Sequence, residues 1–563
     1  LHLSLRRQRQ MCIRDSQCTY PLPGSRAAVL TLQIFINTSN GLIKAGPLSL
    51  LIGYLYFASI LYCVNMSLSE MTSFLPVRGA MHRFAGAFVD PALGFASSVN
   101  YWLLTVTMLC VEINALTSVL LYWVDESKLH VLNILIPLLM LAVYFVLNVW
   151  DTRFFGEAEF WTSVFKCLLA VGLLVMTVFL MCGANPRHDA FGFRYWKHPG
   201  PMNEYLFPGG VGRFCSVVAA IVSAAFTFQG PDMVSNVAGD ARFPRRVIPR
   251  AFKSVNLRLM VFFIGSALAV GILVPYNDPV LVNAINHDSP GASRTAWVRA
   301  LDRLGVKVLP DIINAVILTS IFSCGNANVF AGARALQSMA TEGMLPRVVG
   351  KTNRNGVPYV AVCICLAIGL LSLMQVSGGS SQVLFYFFDI TTSSLVVTWV
   401  IVSLTHICWR RAIKLQSFPV ESLPYSSRLA PYASWYSFGN ALLVLLICGW
   451  DIFTKGNWSS KDLYVARSEH RDTHTQHPAV LCSGHHARGL PVLQGHLPHA
   501  LCPAERDGNL PRRRGGGAAR EDRTGPGHRA ATVPRRALHA LLYRDVLLGQ
   551  PVCASRDDPA ALP

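Results

Sequence analysis

Three ionisable side chains sit inside runs that are otherwise fit only for an apolar medium. Glu112 lies deep in the run that begins near Asn100-Tyr101-Trp102, Lys166 a turn or two into the run from Glu159 to Cys182, and Asp232 within Cys215 to Ala238. An ion in hydrocarbon costs at least about 2.5–3.5 kcal/mol, so such groups hold or exchange a proton, or meet a charged solute. Two quieter readings stand beside this one: Lys166 reaches back to the interface along its own stem, and Glu112 bonds a neighbouring helix. Around Asp232 the backbone adds a second signal. In Phe226-Thr227-Phe228-Gln229-Gly230-Pro231-Asp232, proline removes a donor and glycine permits unwinding, so helical hydrogen bonds should break. A break at membrane depth is tolerated only where protein or a water-filled cavity surrounds it. Freed N–H groups then attract an anion and freed carbonyls a cation. A proline kink without a site is the alternative.

Two further polar patches interrupt apolar sequence. Ile36-Asn37-Thr38-Ser39-Asn40-Gly41 reads as a second break, its short side chains serving freed backbone groups. Thr319 to Asn328 centres another run, and its small residues suit close helix packing, while Asn326 and Asn328 equally suit a cavity wall. His406 is the clear histidine of the spans, without a partner at motif spacing. Nucleophile–base pairs and metal-ligand spacings are not found in the spans, so the expectation is a protein that is not an enzyme and takes no metal or cofactor.

The elements that must position these groups follow from composition. Of 563 residues, 52% are hydrophobic and 14% charged, too apolar for a water-soluble core. Cysteines such as Cys63, Cys110, Cys167, Cys324 and Cys448 lie singly in apolar runs and act as small hydrophobes. A spanning helix needs about 20 apolar residues. Runs of that kind fall near residues 46–69, 93–124, 130–149, 159–182, 211–239, 256–275, 309–340, 357–375, 382–408 and 434–454, with a weaker one near 27–43. Residues 28–458 therefore form one transmembrane domain. Residues 1–27 are a basic arm that opens on Leu1 and reads as adapter-derived or disordered sequence, and no signal peptide is expected. Residues 459–563 turn to Arg, His, Pro, Gly and Ala, with nine of the sixteen histidines, and read as disordered or out-of-frame. Neither Arg512-Arg513-Arg514 nor His485-His486 has the context of a nucleic-acid or metal site.

Lysine and arginine set the orientation. If the first span runs outward, sixteen basic residues face inward, among them Arg78, Arg83, Arg245, Arg246, Arg250, Arg347, Arg410 and Arg411, against nine outward. The N-terminus is thus expected in the cytoplasm. Arg245, Arg246 and Arg250 read as topology determinants or contacts to anionic lipid.

Several stretches, in order and at the right spacing, resemble one family: Phe226 to Arg258 (FTFQGPDMVSNVAGDARFPRRVIPRAFKSVNLR), Ile313 to Arg347 with TNRNGVPYVAV after it, Phe88 to Leu103 and Gly156 to Lys166. From Gly46-Pro47 to about Trp458 the chain resembles fungal amino-acid permeases, the yeast amino acid transporter branch of the amino acid–polyamine–organocation superfamily. The resemblance implies an all-α polytopic membrane protein with a leucine-transporter-like 5+5 inverted repeat. Helices one and six are discontinuous in that fold and a peripheral helix eleven follows; helix twelve has no counterpart here.

The implied function is proton-coupled movement of amino acids across the plasma membrane by alternating access, powered by the proton gradient. The rival is a sensor of the same fold that binds without transporting. Partners would be an amino acid and membrane lipids, not nucleic acid. Carried over by residue, the substrate site is Thr38 and Ser39 of helix one, Phe226, Phe228, Gly230 and Asp232 of helix six, and Asn326. Lys166 of helix five and Glu112 of helix three couple the proton. The family's glycine-rich helix-one pattern aligns with Thr31 to Ser39, where side chains replace glycines and crowd a carboxylate's approach. Its Gly-Thr-Glu reads Gly230-Pro231-Asp232. Asp232 and Glu112 suit a cationic substrate, Phe226 and Phe228 a bulky neutral one.

Overall fold

A backbone in hydrocarbon must satisfy its own hydrogen bonds, so long apolar runs dictate helix. The computed structural model describes residues 37–450, apart from residues 78, 121–122, 124–128, 151, 229–233, 236–237, 239–242, 287–294, 306–308, 377–379, 421–422 and 428, and all regular structure among the described residues is helical. The basic arm and the tail from residue 459 lie outside the described residues. In chain order the helices are α1 (Thr38–Ala45), α2 (Pro47–Phe74), α3 (Ala80–Phe88), α4 (Pro91–Leu120), α5 (Leu129–Trp150), α6 (Thr152–Met181) and α7 (Gly209–Thr227). There follow α8 (Pro244–Leu273), with a π-helical turn at Met260–Ile264, and the short α9 (Pro279–Asn286) and α10 (Ala296–Leu304). The chain ends its described course with α11 (Leu309–Thr341), α12 (Tyr359–Gly369, continued as 3-10 helix to Val376), α13 (Ser380–Leu415) and α14 (Ala430–Ile447).

Among the described residues, eight helices are long and apolar enough to cross a membrane: α2, α4, α5, the Val164–Met181 part of α6, α7, α8, α11 and most of α13; α12 is a shorter apolar helix. The chain is an all-α integral membrane protein. α4 lies at the centre, packed against α11 and α13, whereas α5 and α6 turn Leu135, Leu139, Phe165, Leu168 and Phe179 outward, as lipid-facing helices do. Two expected boundaries change. In the run 211–239 the helix α7 ends at Thr227, and the first span continues to Phe74 rather than stopping at residue 69, which carries Glu70 into the buried bundle.

The kinds of element recur in one order. A part-helix, a long helix, a short helix, a long, a shorter and another long helix make α1 to α6, and the same succession makes α7 to α13 with two short helices in place of one. The two sets are inverted. α3 is tied by the Arg83–Glu342 ion pair to the chain just beyond the end of α11, whereas α10 precedes the opposite end of α11 and gives its Ala296 N–H to Ser39 Oγ of α1 at 2.8 Å. One face therefore gathers the ends of α2, α11 and α13 and the starts of α8 and α14, together with Arg83, Arg245, Arg246, Arg347, Arg410 and Arg411. We call it the basic face. On the other face Asp278 closes the α9–α10 hairpin by accepting from Val280 N at 3.0 Å, Leu281 N at 3.1 Å and Arg299 Nε at 3.1 Å. Also on that face Arg194 donates to both carboxylate oxygens of Asp189 at 2.7 and 2.8 Å, and this pairing holds the Asp189 carboxyl below its usual range.

α2 and α7 approach so closely that a Cβ at Gly53 would lie 2.7 Å from the backbone carbon of Ala220 and 2.9 Å from Ile221 N. Backbone on both sides cannot give way as a side-chain tip can. Gly53→Ala should therefore push the helices apart at a cost of about 1–3 kcal/mol, read as a lowered unfolding midpoint in detergent. An unchanged midpoint would show that the crossing is loose.

Candidate functional site

α7 stops where the sequence puts Gly230 and Pro231. Its last helical residue is Thr227, and Phe228 leaves the helix with φ −88° and ψ 72° while its N–H still reaches Ala224 O at 3.0 Å. The carbonyl of Thr227 would need the N–H of residue 231 to stay in the ladder, and a proline has none. Gly230 and Asp232 lie outside the described residues, so the break is seen from its N-terminal lip.

That lip is held by α1 and α2. Asn37 Nδ2 donates to Thr227 Oγ1 and to Ser223 O, both at 2.7 Å, and Ser223 Oγ returns a bond to Asn37 O at 3.3 Å. The Tyr54 hydroxyl bridges Thr227 Oγ1 at 3.0 Å and Thr38 Oγ1 at 3.3 Å. Thr38 thus lies beside the end of α7. Of the break expected at Ile36 to Gly41, the described residues are helical: Asn37 has helical dihedrals and Thr38–Ala45 is continuous helix, while Ile36 and the residues before it lie outside the described residues. These polar side chains reach other elements. Ser39 is turned to α10, as described above. The chain instead turns at Gly46, where Pro47 starts α2.

Phe226 and Phe228 are both buried and diverge. The Phe226 ring lies 4.1 Å from that of Phe388 on α13, between centroids. Phe228 enters an aromatic nest of Tyr54, Phe57 and Phe263, at 5.7, 5.8 and 4.7 Å, the last from the π-helical turn of α8. A π turn swings one extra residue out of the ladder, and here it brings Phe263 against the residue at which α7 ends.

A second group of expected residues converges on the polar centre of α11. Lys166 is buried and its Nζ donates to Ser323 Oγ at 2.9 Å, which also accepts from Thr162 Oγ1 at 3.1 Å. Glu112 of α4 is fully buried, with the Cys324 thiol and the Lys166 charge as its electrostatic neighbours. Lys166 therefore points inward and does not reach back to the interface. Asn326 accepts from Asn148 Nδ2 of α5 at 2.7 Å, a tie between α5 and α11. Close by, the Tyr144 hydroxyl donates to Phe322 O at 3.1 Å over Gly325, where any side chain would collide with it.

The structure adds a cluster that the sequence did not disclose. Glu70, His406 and Arg410 meet at the basic face, so His406 has partners after all. The signal available was Glu70 itself, an acid near the end of an apolar run, with His406 and Arg410 one turn apart on α13.

A sequence model described as "Amino acid permease" matches residues 27–466. Among similar curated proteins, a proline-specific permease of Emericella nidulans is 36% identical over 435 residues, spanning 77% of this chain and 78% of the relative. The general amino acid permease AGP2 of Saccharomyces cerevisiae is 33% identical, over 77% of this chain and 73% of its own. The basic amino-acid permease of the same yeast is 34% identical, over 75% and 72%.

Proposed function

The chain belongs to the amino acid permease family, and from that premise we propose that it is a proton-coupled amino-acid importer of the plasma membrane, with its basic face toward the cytoplasm. The observation that carries the reading is the end of α7 at Thr227, inside an apolar run and latched to Asn37 and Tyr54. Freed carbonyls at a helix C-terminus present partial negative charge, a seat for a substrate ammonium. In this reading the substrate carboxylate lies by the first turn of α1, near Thr38, and the side chain extends along Phe226 and Phe388. Ser39, turned to α10, links that turn to the outer hairpin and so couples occupancy to closure on the outer face.

Lys166 is the proton carrier. As an ammonium it donates to Ser323; once neutral, its nitrogen can accept from that hydroxyl, so the pair persists through the cycle. Glu112, fully buried on α4 within electrostatic reach of the amine, is the second member of the coupling pair. Asp232 adds a negative charge at the break and bears on substrate charge.

The relatives are named for proline, for basic amino acids and for a general range. The test is uptake by the full chain in proteoliposomes of labelled L-proline, L-lysine, L-leucine and L-glutamate, with and without an inward proton gradient. At least one should accumulate, faster with the gradient. Saturable binding without flux would make the chain a receptor and overturn the reading.

A further inference from the structure

Glu70 is fully buried near the end of α2, and all four of its acceptor positions are filled. Oε1 accepts from Ser427 N at 2.8 Å and from Arg410 Nη2; Oε2 accepts from Arg410 Nε at 2.9 Å and from His406 Nε2 at 2.7 Å. A carboxylate so surrounded is an acceptor only, so His406 Nε2 carries a hydrogen. On the other side of the ring, Nδ1 lies 2.6 Å from Ser434 Oγ of α14. That hydroxyl also lies 2.8 Å from Ala430 O and 3.1 Å from Ser67 Oγ, which itself donates to Cys63 O at 3.0 Å.

Ser434 has one hydrogen to give. If it goes to Ala430 O, Nδ1 must be the donor and the ring is an imidazolium. If it turns to Nδ1, the ring is neutral, and Ala430 O keeps its bond in the ladder of α14. One hydroxyl rotation therefore exchanges the two states without moving a heavy atom or stranding a buried polar group. A fixed ion pair has no need of a second bonded state, whereas a group that gains and loses a proton in a dry place does. Access is present too, because Arg410 is 17% exposed and its Nη2 reaches Ser426 at the surface, 3.2 Å away.

The charged groups that face His406 are Glu70 from α2 and Arg410 from α13 itself, while Tyr425, from the segment before α14, acts on Glu70. With a neutral ring these charges cancel; with an imidazolium the cluster gains a net positive charge. The three groups also join α2, α13 and the start of α14 at one point. We propose that His406, paired with Glu70, is a second proton-binding site of this chain, open to the basic face and separate from Lys166, and that its proton tightens or loosens the tie between α2 and the α13–α14 pair.

The test uses the full chain with His406→Gln, whose amide donates to Glu70 and accepts from Ser434 but takes up no proton. The first readout rests on the transport reading: uptake of whichever panel amino acid is moved fastest, with pH varied on one side of the bilayer at a time. The wild type should change at least about threefold as the basic-face side passes between about pH 5 and 8, the histidine window. The variant should be flat on that side and keep its response on the other. The second readout needs no substrate. The unfolding midpoint of the purified protein against pH should show a step in that window that His406→Gln lacks. Superimposable wild-type and variant profiles in this measurement overturn the proposal, and if no panel amino acid is transported it decides alone. Should His406→Gln fail to fold, Ser434→Ala takes its place: loss of the Nδ1 partner should shift the step, and an unshifted step is again the overturning result.

Discussion

Lys166→Ala abolishes the pH dependence of uptake and lowers its rate at least about tenfold, the equivalent of 1.4 kcal/mol in the barrier. The substitution strips Ser323 and Thr162 of the ammonium around which they are arranged, leaving their hydroxyls facing a gap in the bundle. A buried polar group left without its partner costs about 1–3 kcal/mol, so the variant should also lose stability. Two controls separate coupling from folding. Lys166→Arg keeps the charge but never releases a proton, so it should fold and yet leave uptake insensitive to the gradient. Lys166→Met, which fills much of the same space without an exchangeable proton, should keep more of the stability than Lys166→Ala and still lack coupling. Uptake in proteoliposomes against external pH measures all three, and an unaltered gradient response in Lys166→Ala would remove that residue from the mechanism.

Glu70→Ala is expected to be the most destabilising single change among those considered. It leaves the Arg410 guanidinium, the His406 ring and the Ser427 N–H without the acceptor they share. Removing one member of a buried ion pair costs about 3–5 kcal/mol, a large share of the 5–15 kcal/mol by which folded proteins are typically stable. The variant should elute as aggregate on size exclusion, or unfold well below the wild type. Glu70→Gln, which keeps the shape and one acceptor oxygen, should lie between. A wild-type midpoint for Glu70→Ala would mean that the cluster contributes nothing net, its desolvation offsetting its bonds.

What could be read from the chain divides along physical lines. Long apolar runs fix helices in a bilayer, and Gly230-Pro231 fixes where one ends, because the missing N–H of Pro231 is a covalent fact that no packing restores. Lys166 and Glu112 stood out because lone ions in apolar sequence are costly. Glu70 did not, because it sits where the run thins into Ser69, Met71 and Thr72, and its partner His406 is 336 residues away. Asn37, Thr38 and Ser39 show the opposite failure. Short polar side chains look alike whether they replace broken backbone bonds or fasten an intact helix to Thr227, Tyr54 and Ala296; only the partners decide. Asn326 carries both meanings in the sequence, and the structure adds its tie to Asn148.

The π-helical turn at Met260–Ile264 has a consequence for the length of the chain around it. Each residue turns an α-helix by about 100°. Ile248, Phe252 and Val255 before the turn, and Ala267, Val270 and Leu273 after it, are buried on faces whose agreement depends on the surplus residue between them. A one-residue deletion there would unscrew one half of α8 against the other and withdraw Phe263 from Phe228. The segment works as a spacer gauge, intolerant of any change in count.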